Sequence, residues 1–212
     1  MTEDAARPRR WALIVLAAVG VAALAFAIGR FTMFGNAAPT PNAADAGFAR
    51  DMQTHHAQAV DMAMTIHRGT EDEQIRALAY DIATGQAAQR GEMFDWLVQW
   101  GLPQTGDTMA WMSGPDGHDH AGGAEEQDVL GAMGMANAAE LAQLDAATGT
   151  AADCLFLDLM IRHHAGALTM TEAVLERGSV PRVLQVAQTM QTNQGAEIDA
   201  MESIRERLGC TG

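Results

Sequence analysis

A block of this chain recurs 108 residues further on. Phe48, Met52, His55, His56, Ala59 and Met62 reappear as Phe156, Met160, His163, His164, Ala167 and Met170. The register holds without a gap into the next segment, where Gln86, Met93 and Trp96 fall on Gln194, Met201 and Ile204. A fixed period marks a duplicated structural unit that cannot bury its apolar face alone. Within each unit the apolar positions step by three and four, as in Phe48, Met52, His55, Ala59, Met62 and Ile66, which is the mark of an amphipathic helix. A second helix follows in each copy. Its stripe in the first copy is Ile75, Leu78, Ile82, Met93, Trp96 and Leu97, with Gln86 and Gln89 on the same side.

The segmentation follows. Residues 46–100 form a first helical hairpin, with Gly69 as a stop and Thr70 and Glu73 as a capping box for the second helix. Residues 101–150 are a crossover rich in glycine and proline, with a short helix over Ala138 to Ala146 capped by Asn137. Residues 151–209 are the second hairpin, broken by Gly178 and restarted at Pro181. Two hairpins joined by a long crossover predict an all-α four-helix bundle. Aromatics are only 5% of the chain and alanine is abundant, which argues against a sheet.

Upstream, Arg7, Arg9 and Arg10 precede an apolar run over residues 11–29. Nineteen helical residues span roughly 28 Å, close to the apolar thickness of a bilayer. The arginines keep residues 1–10 cytoplasmic, and 30–45 is a linker to an extracytoplasmic remainder. The reading is a single-pass anchor at the cell membrane; a cleaved signal peptide is the alternative. The net charge of −14 without a basic patch disfavours nucleic acid as a partner. Export permits a disulfide. Cys154 would start the third bundle helix and Cys210 end the fourth, so an antiparallel pair brings them together. Free thiols and metal ligation are the other readings.

The chemistry sits at the paired histidines. Neighbouring helical residues point about 100° apart, so one histidine of each pair aims at the bundle axis and the other at a flank. If the turns centre near residues 70 and 179, His56 faces Gln86 and His164 faces Gln194. Met52 then faces Gln89 to Met93, and Met160 faces Glu197 and Met201. Imidazole and thioether together suit copper. The candidate ligands are His55, His56, His163, His164, Met52, Met62, Met160 and Met170. Gln86, Gln89, Gln194 and Glu197 are candidate supports behind them, and Met109, Met112, His118 and His120 are candidate ligands in the crossover. Zinc prefers a closed set of His, Cys and carboxylate, and di-iron bundles use Glu-x-x-His, which neither copy has. The plainer reading is a duplicated core in which methionines pack and histidines make hydrogen bonds. Ala57, Ala59, Ala165, Gly166 and Ala167 allow close helix approach under either reading. No nucleophile elbow, phosphate loop or dinucleotide fingerprint is present in the sequence, so catalysis has no positive support. A homo-oligomer is compatible with all of this.

The segment Phe156 to Met170, with His163-His164 at its centre, and the segment Gln194-Gly-Ala-Glu197-Ile198-Asp-Ala-Met201 resemble the signature of the "domain of unknown function 305" family. Met133-Gly-Met135 ahead of Glu140-Leu141 is similar to that family's linker. The resemblance spans about residues 45 to 208. It implies a ferritin-like bundle, exported or anchored, some relatives of which handle copper. It leaves three functional expectations: a copper-binding protein, a non-metal interaction bundle, and a ferritin-like oxidase. One departure stands out. Gln89-Arg90 occupies the place of Glu197-Ile198, so two half-sites, if both form, should differ in affinity.

Overall fold

The computed structural model describes residues 6–34, 39–112 and 129–210. The chain forms two compact units, Met1–Pro39 and Thr40–Gly212. The first holds helix α1, Ala6–Phe34. Its window Leu13–Arg30 has a mean hydropathy of 2.3 and is long and apolar enough to cross a membrane. The helix continues through Arg30 to Phe34, which the sequence placed in the linker; no glycine or proline interrupts it between those residues.

The second unit is all-α, with no strand among the described residues. Helix α2 is Ala43–Gly69, α3 is Glu73–Trp100, a 3-10 turn is Ala110–Met112, α4 is Ala138–Ala146, α5 is Gly149–Arg177 and α6 is Pro181–Leu208. Helix α2 starts three residues before the expected Ala46. Asn42 and Asp45 form a reciprocal capping box there, which satisfies two backbone N–H groups that would otherwise be orphaned. The expected Thr70–Glu73 box is not used. Asp72 caps α3 instead, accepting from Gln74 N and Ile75 N, while Thr70 ends α2 and its hydroxyl accepts from Asp72 N. A carboxylate is a better acceptor at the positive end of a helix than a hydroxyl. Asn137 caps α4 as expected, and Glu140 completes a capping box with it.

Helices α2 and α3 pack as one antiparallel hairpin and α5 and α6 as the other. The hairpins meet mainly through α2 and α5, whereas α3 and α6 barely touch. The two histidine-bearing helices therefore form the centre of the bundle. Asp45 fastens the hairpins at one end, accepting from Ser179 N, Ser179 Oγ and Val180 N. A disulfide joins Cys154 to Cys210 at the start of α5 and the end of α6, with Cα atoms 5.5 Å apart.

The core divides into two apolar halves. One contains Phe48, Met52, Met93, Met170 and Met190; the other contains Ala59, Met62, Phe156, Met160 and Met201. Met52 thus shares a half with Met170, and Met62 shares the other with Met160, as antiparallel packing of two copies requires. Between the halves lies a layer of buried polar side chains: His55, His56, His163, His164, Gln86 and Gln194.

Candidate metal centre

All four histidines are completely buried, so neither copy sends one to a solvated flank. His55 and His163 aim at each other across the α2–α5 contact. Their ring centroids are 3.6 Å apart with planes 34° from parallel. His56 turns instead to α3 and His164 to α6. His56 Nε2 donates to Gln89 Oε1 at 2.7 Å, and His164 Nε2 to Glu197 Oε2 at 2.7 Å. The flanking imidazoles therefore meet residues 89 and 197, one turn beyond the expected Gln86 and Gln194. Those two glutamines are buried in the same layer, and neither side-chain amide atom finds a hydrogen-bond partner among the described residues. Both turns centre close to the simple symmetric estimate, between Gly69 and Glu73 and between Arg177 and Pro181. The shift comes from the side chains, which lean toward the N-terminus of their own helix, so that each flanking histidine reaches away from the turn and residues 89 and 197 reach back toward it.

The inner histidines use backbone carbonyls. His55 Nε2 donates to Met133 O at 3.0 Å, and His163 Nε2 donates to His55 O at 3.1 Å. A carbonyl or carboxylate oxygen can only accept, so each imidazole carries hydrogen on Nε2. On all four rings Nδ1 is buried and has no partner among the described residues. Burial holds the His55 pKa down to about 4 and the His56 pKa to about 3, and it pushes that of His163 well below its ordinary value; neighbouring histidines add to the effect on His56 and His163. These three rings are neutral at pH 7, with Nδ1 presenting a bare lone pair.

That burial makes the fold acid-sensitive. A histidine whose folded pKa lies below its unfolded value of about 6.5 binds fewer protons when folded. Its contribution is complete above that pH and is lost as pH falls toward the folded pKa. Each such histidine removes up to about 1.4 kcal/mol per pH unit. Thermal melts are expected to be flat between pH 7 and 8 and to fall steeply between pH 6.5 and 4. An unchanged melting temperature at pH 5 would contradict neutral burial of these rings.

The crossover supplies parts of the centre that side-chain patterns did not reveal. Met133 reaches His55 because the backbone of Met133-Gly134 lies directly on α5. A Cβ on Gly166 would fall inside van der Waals contact of the Met133 carbonyl, and one on Gly134 would meet the Arg162 carbonyl. Gly134 also has φ +72°, a left-handed conformation that favours glycine. On the α2 side, Gln58 clamps the same segment, donating to Ala136 O at 2.8 Å and accepting from Ala136 N at 2.7 Å. A backbone carbonyl leaves no mark in a sequence. The available signal was Gly166, a glycine inside a helix at the position where the first copy has Gln58.

The other predicted crossover ligands are not at this layer. Met109 and Met112 are half-buried against the apolar half that contains Phe48 and Trp111. Asp51 holds them there, accepting from Met109 N at 2.9 Å and from Trp111 Nε1 at 2.7 Å. His118 and His120 lie outside the described residues. Among the described residues no three His, Cys, Asp or Glu side chains form a ready coordination group. A closed zinc set is therefore absent there. The donors that are present, imidazole Nδ1 and methionine sulfur, suit copper.

Residues 45–205 match the family described as "Domain of unknown function (DUF305)". The chain belongs to the DUF305 family. Three solved structures are similar to this DUF305 chain. A DUF305 protein from Streptomyces coelicolor, described as secreted, shares 40% identity at a TM-score of 0.68, over 78% of this chain and 92% of its own. A DUF305 fragment from Deinococcus radiodurans shares 32% at 0.66, over 80% and 99%. CopM in its Cu(II)-bound form shares 26% at 0.59, over 77% and 96%. No curated protein matches the chain.

Proposed function

We propose that this DUF305 protein is a single-pass, membrane-anchored, extracytoplasmic copper-binding protein. The observation that carries the reading is the common state of the four imidazoles. Each donates Nε2–H to an oxygen and leaves Nδ1 buried and unpartnered. Ligating histidines are arranged in this way in metal sites, with the second nitrogen fixed by a carbonyl or carboxylate. His55, His56, His163 and His164 would be the primary ligands. Met52 and Met170 on one side of the layer, and Met62 and Met160 on the other, would be soft partners. The similarity to CopM supports copper as the ion. Helix α1, with Arg7, Arg9 and Arg10 before it, supports an uncleaved anchor with its N-terminus inside.

The test is titration of the full chain in detergent with Cu(I) and with Cu(II), read by calorimetry and by thermal melting. A ligand at 100 times its Kd that binds only the folded state adds about 2.7 kcal/mol. For a domain of this size that is about 8 °C in melting temperature. Binding no tighter than that of a variant with all four histidines replaced by leucine would sink the reading. A second reading, a non-metal interaction bundle, is favoured by the absence of a three-residue coordination group among the described residues. It predicts a melting temperature that copper does not move.

A further inference from the structure

The candidate ligands are the same in both copies, two histidines and two methionines each, with one buried glutamine beside them. The copies differ in what stands behind the flanking histidine. His56 donates to Gln89 and His164 to Glu197, both at 2.7 Å. At the flanking histidine the half-sites are thus matched in hydrogen-bond distance and unlike in charge. The amide of Gln89 is neutral. Glu197 is a carboxylate whose side chain is only 25% exposed, hydrogen-bonded to a fully buried ring. The next residue adds to the contrast. The residue after Gln89 in α3 is the cationic Arg90, while the equivalent residue in α6 is the neutral Ile198.

A cation at the His164 half is met by a carboxylate. A cation at the His56 half is met by an amide, with the positive charge of Arg90 next along the helix. Two formal charges separate the halves, and both act in the same direction. A buried positive ion is costly unless compensated. Partners behind a ligating histidine change metal affinity by about 10- to 100-fold.

We infer that the bundle loads copper in order, first at the His164–Glu197 half and then, at least about tenfold more weakly, at the His56–Gln89 half. This rests on the copper reading above. The α5–α6 hairpin becomes the holding site and the α2–α3 hairpin the exchangeable one. The structural device is the pair of residues at 89–90 and 197–198.

The experiment is competition of the full chain in detergent against a chromophoric Cu(I) chelator, with native mass spectrometry counting the ions bound. The wild type is expected to fill in two steps at least tenfold apart. The variant Glu197→Gln, Ile198→Arg should lose the tight step. The variant Gln89→Glu, Arg90→Ile should strengthen the weak step at least tenfold, toward the tight one. That gain cannot arise from misfolding. Two equal steps, one undivided step, or an unchanged weak step in the second variant would overturn the inference and leave copper binding standing. A wild type that binds no copper overturns the copper reading itself, and this inference falls with it.

Discussion

Gly166→Ala is expected to lower the stability of the bundle by about 3 kcal/mol, against the usual trend for helices. Alanine ordinarily gains about 1 kcal/mol over glycine inside a helix. At Gly166 the new Cβ would fall on the Met133 carbonyl, so the crossover must retreat from α5. Forcing extra volume into a packed interior costs about 1–3 kcal/mol. The retreat also takes away the acceptor of His55 Nε2–H, and an unsatisfied buried donor costs about 1–3 kcal/mol more. The net loss corresponds to about 9 °C in melting temperature for a domain of this size. Gly195→Ala is the control. A Cβ there meets nothing within 4 Å, and that variant should gain up to about 1 kcal/mol. Copper affinity should separate the two variants as well. His55 in Gly166→Ala loses the group that fixes its tautomer, and a loss of about 10- to 100-fold is expected. A stable Gly166→Ala variant with unchanged melting would mean that the crossover does not press on α5.

Removing the Cys154–Cys210 disulfide is expected to cost about 4 kcal/mol. The bond closes a segment with a sequence separation of 56, which the unfolded chain otherwise explores freely. Loop-closure entropy for that length gives about 4 kcal/mol, or about 12 °C in melting temperature. The double variant Cys154→Ser, Cys210→Ser, compared with wild type by denaturant unfolding, measures it. Copper affinity should change by no more than a few-fold. Cys154 is nine residues before His163, about 14 Å along the helix axis. A collapse of copper binding in a folded double variant would instead assign the cysteines as ligands.

Particular residues show how much of this was legible beforehand. The repeat, Asn137 as a cap, and the meeting of Cys154 with Cys210 all follow from local spacing, and local spacing is visible in a chain. The helix starts at Ala43 and Glu73 were displaced because Asn42 caps ahead of the expected Ala46 and Asp72 caps in place of the earlier Thr70. Competition among nearby caps is decided by backbone geometry. The pairing of His56 with Gln89 rather than Gln86 depended on the lean of both side chains toward the N-terminus of their own helix, which a count of antiparallel positions leaves out. Asp51 drew no attention as an acidic residue beside an apolar stripe, yet it holds Trp111 and Met109 against α2.

The sequence alone determined that there would be two equivalent helical hairpins, that each would carry paired histidines flanked by methionines, and that residues 89–90 and 197–198 would differ in charge. These are properties of period and residue type, and helical geometry turns them directly into faces. Only the tertiary structure decided that α2 and α5 make the central contact, that His55 and His163 stack across it, and that a backbone carbonyl from the crossover fixes His55. Those contacts join residues 78 and 108 positions apart. They depend on how two separately formed hairpins dock, and on one glycine that lets a third segment lie against them.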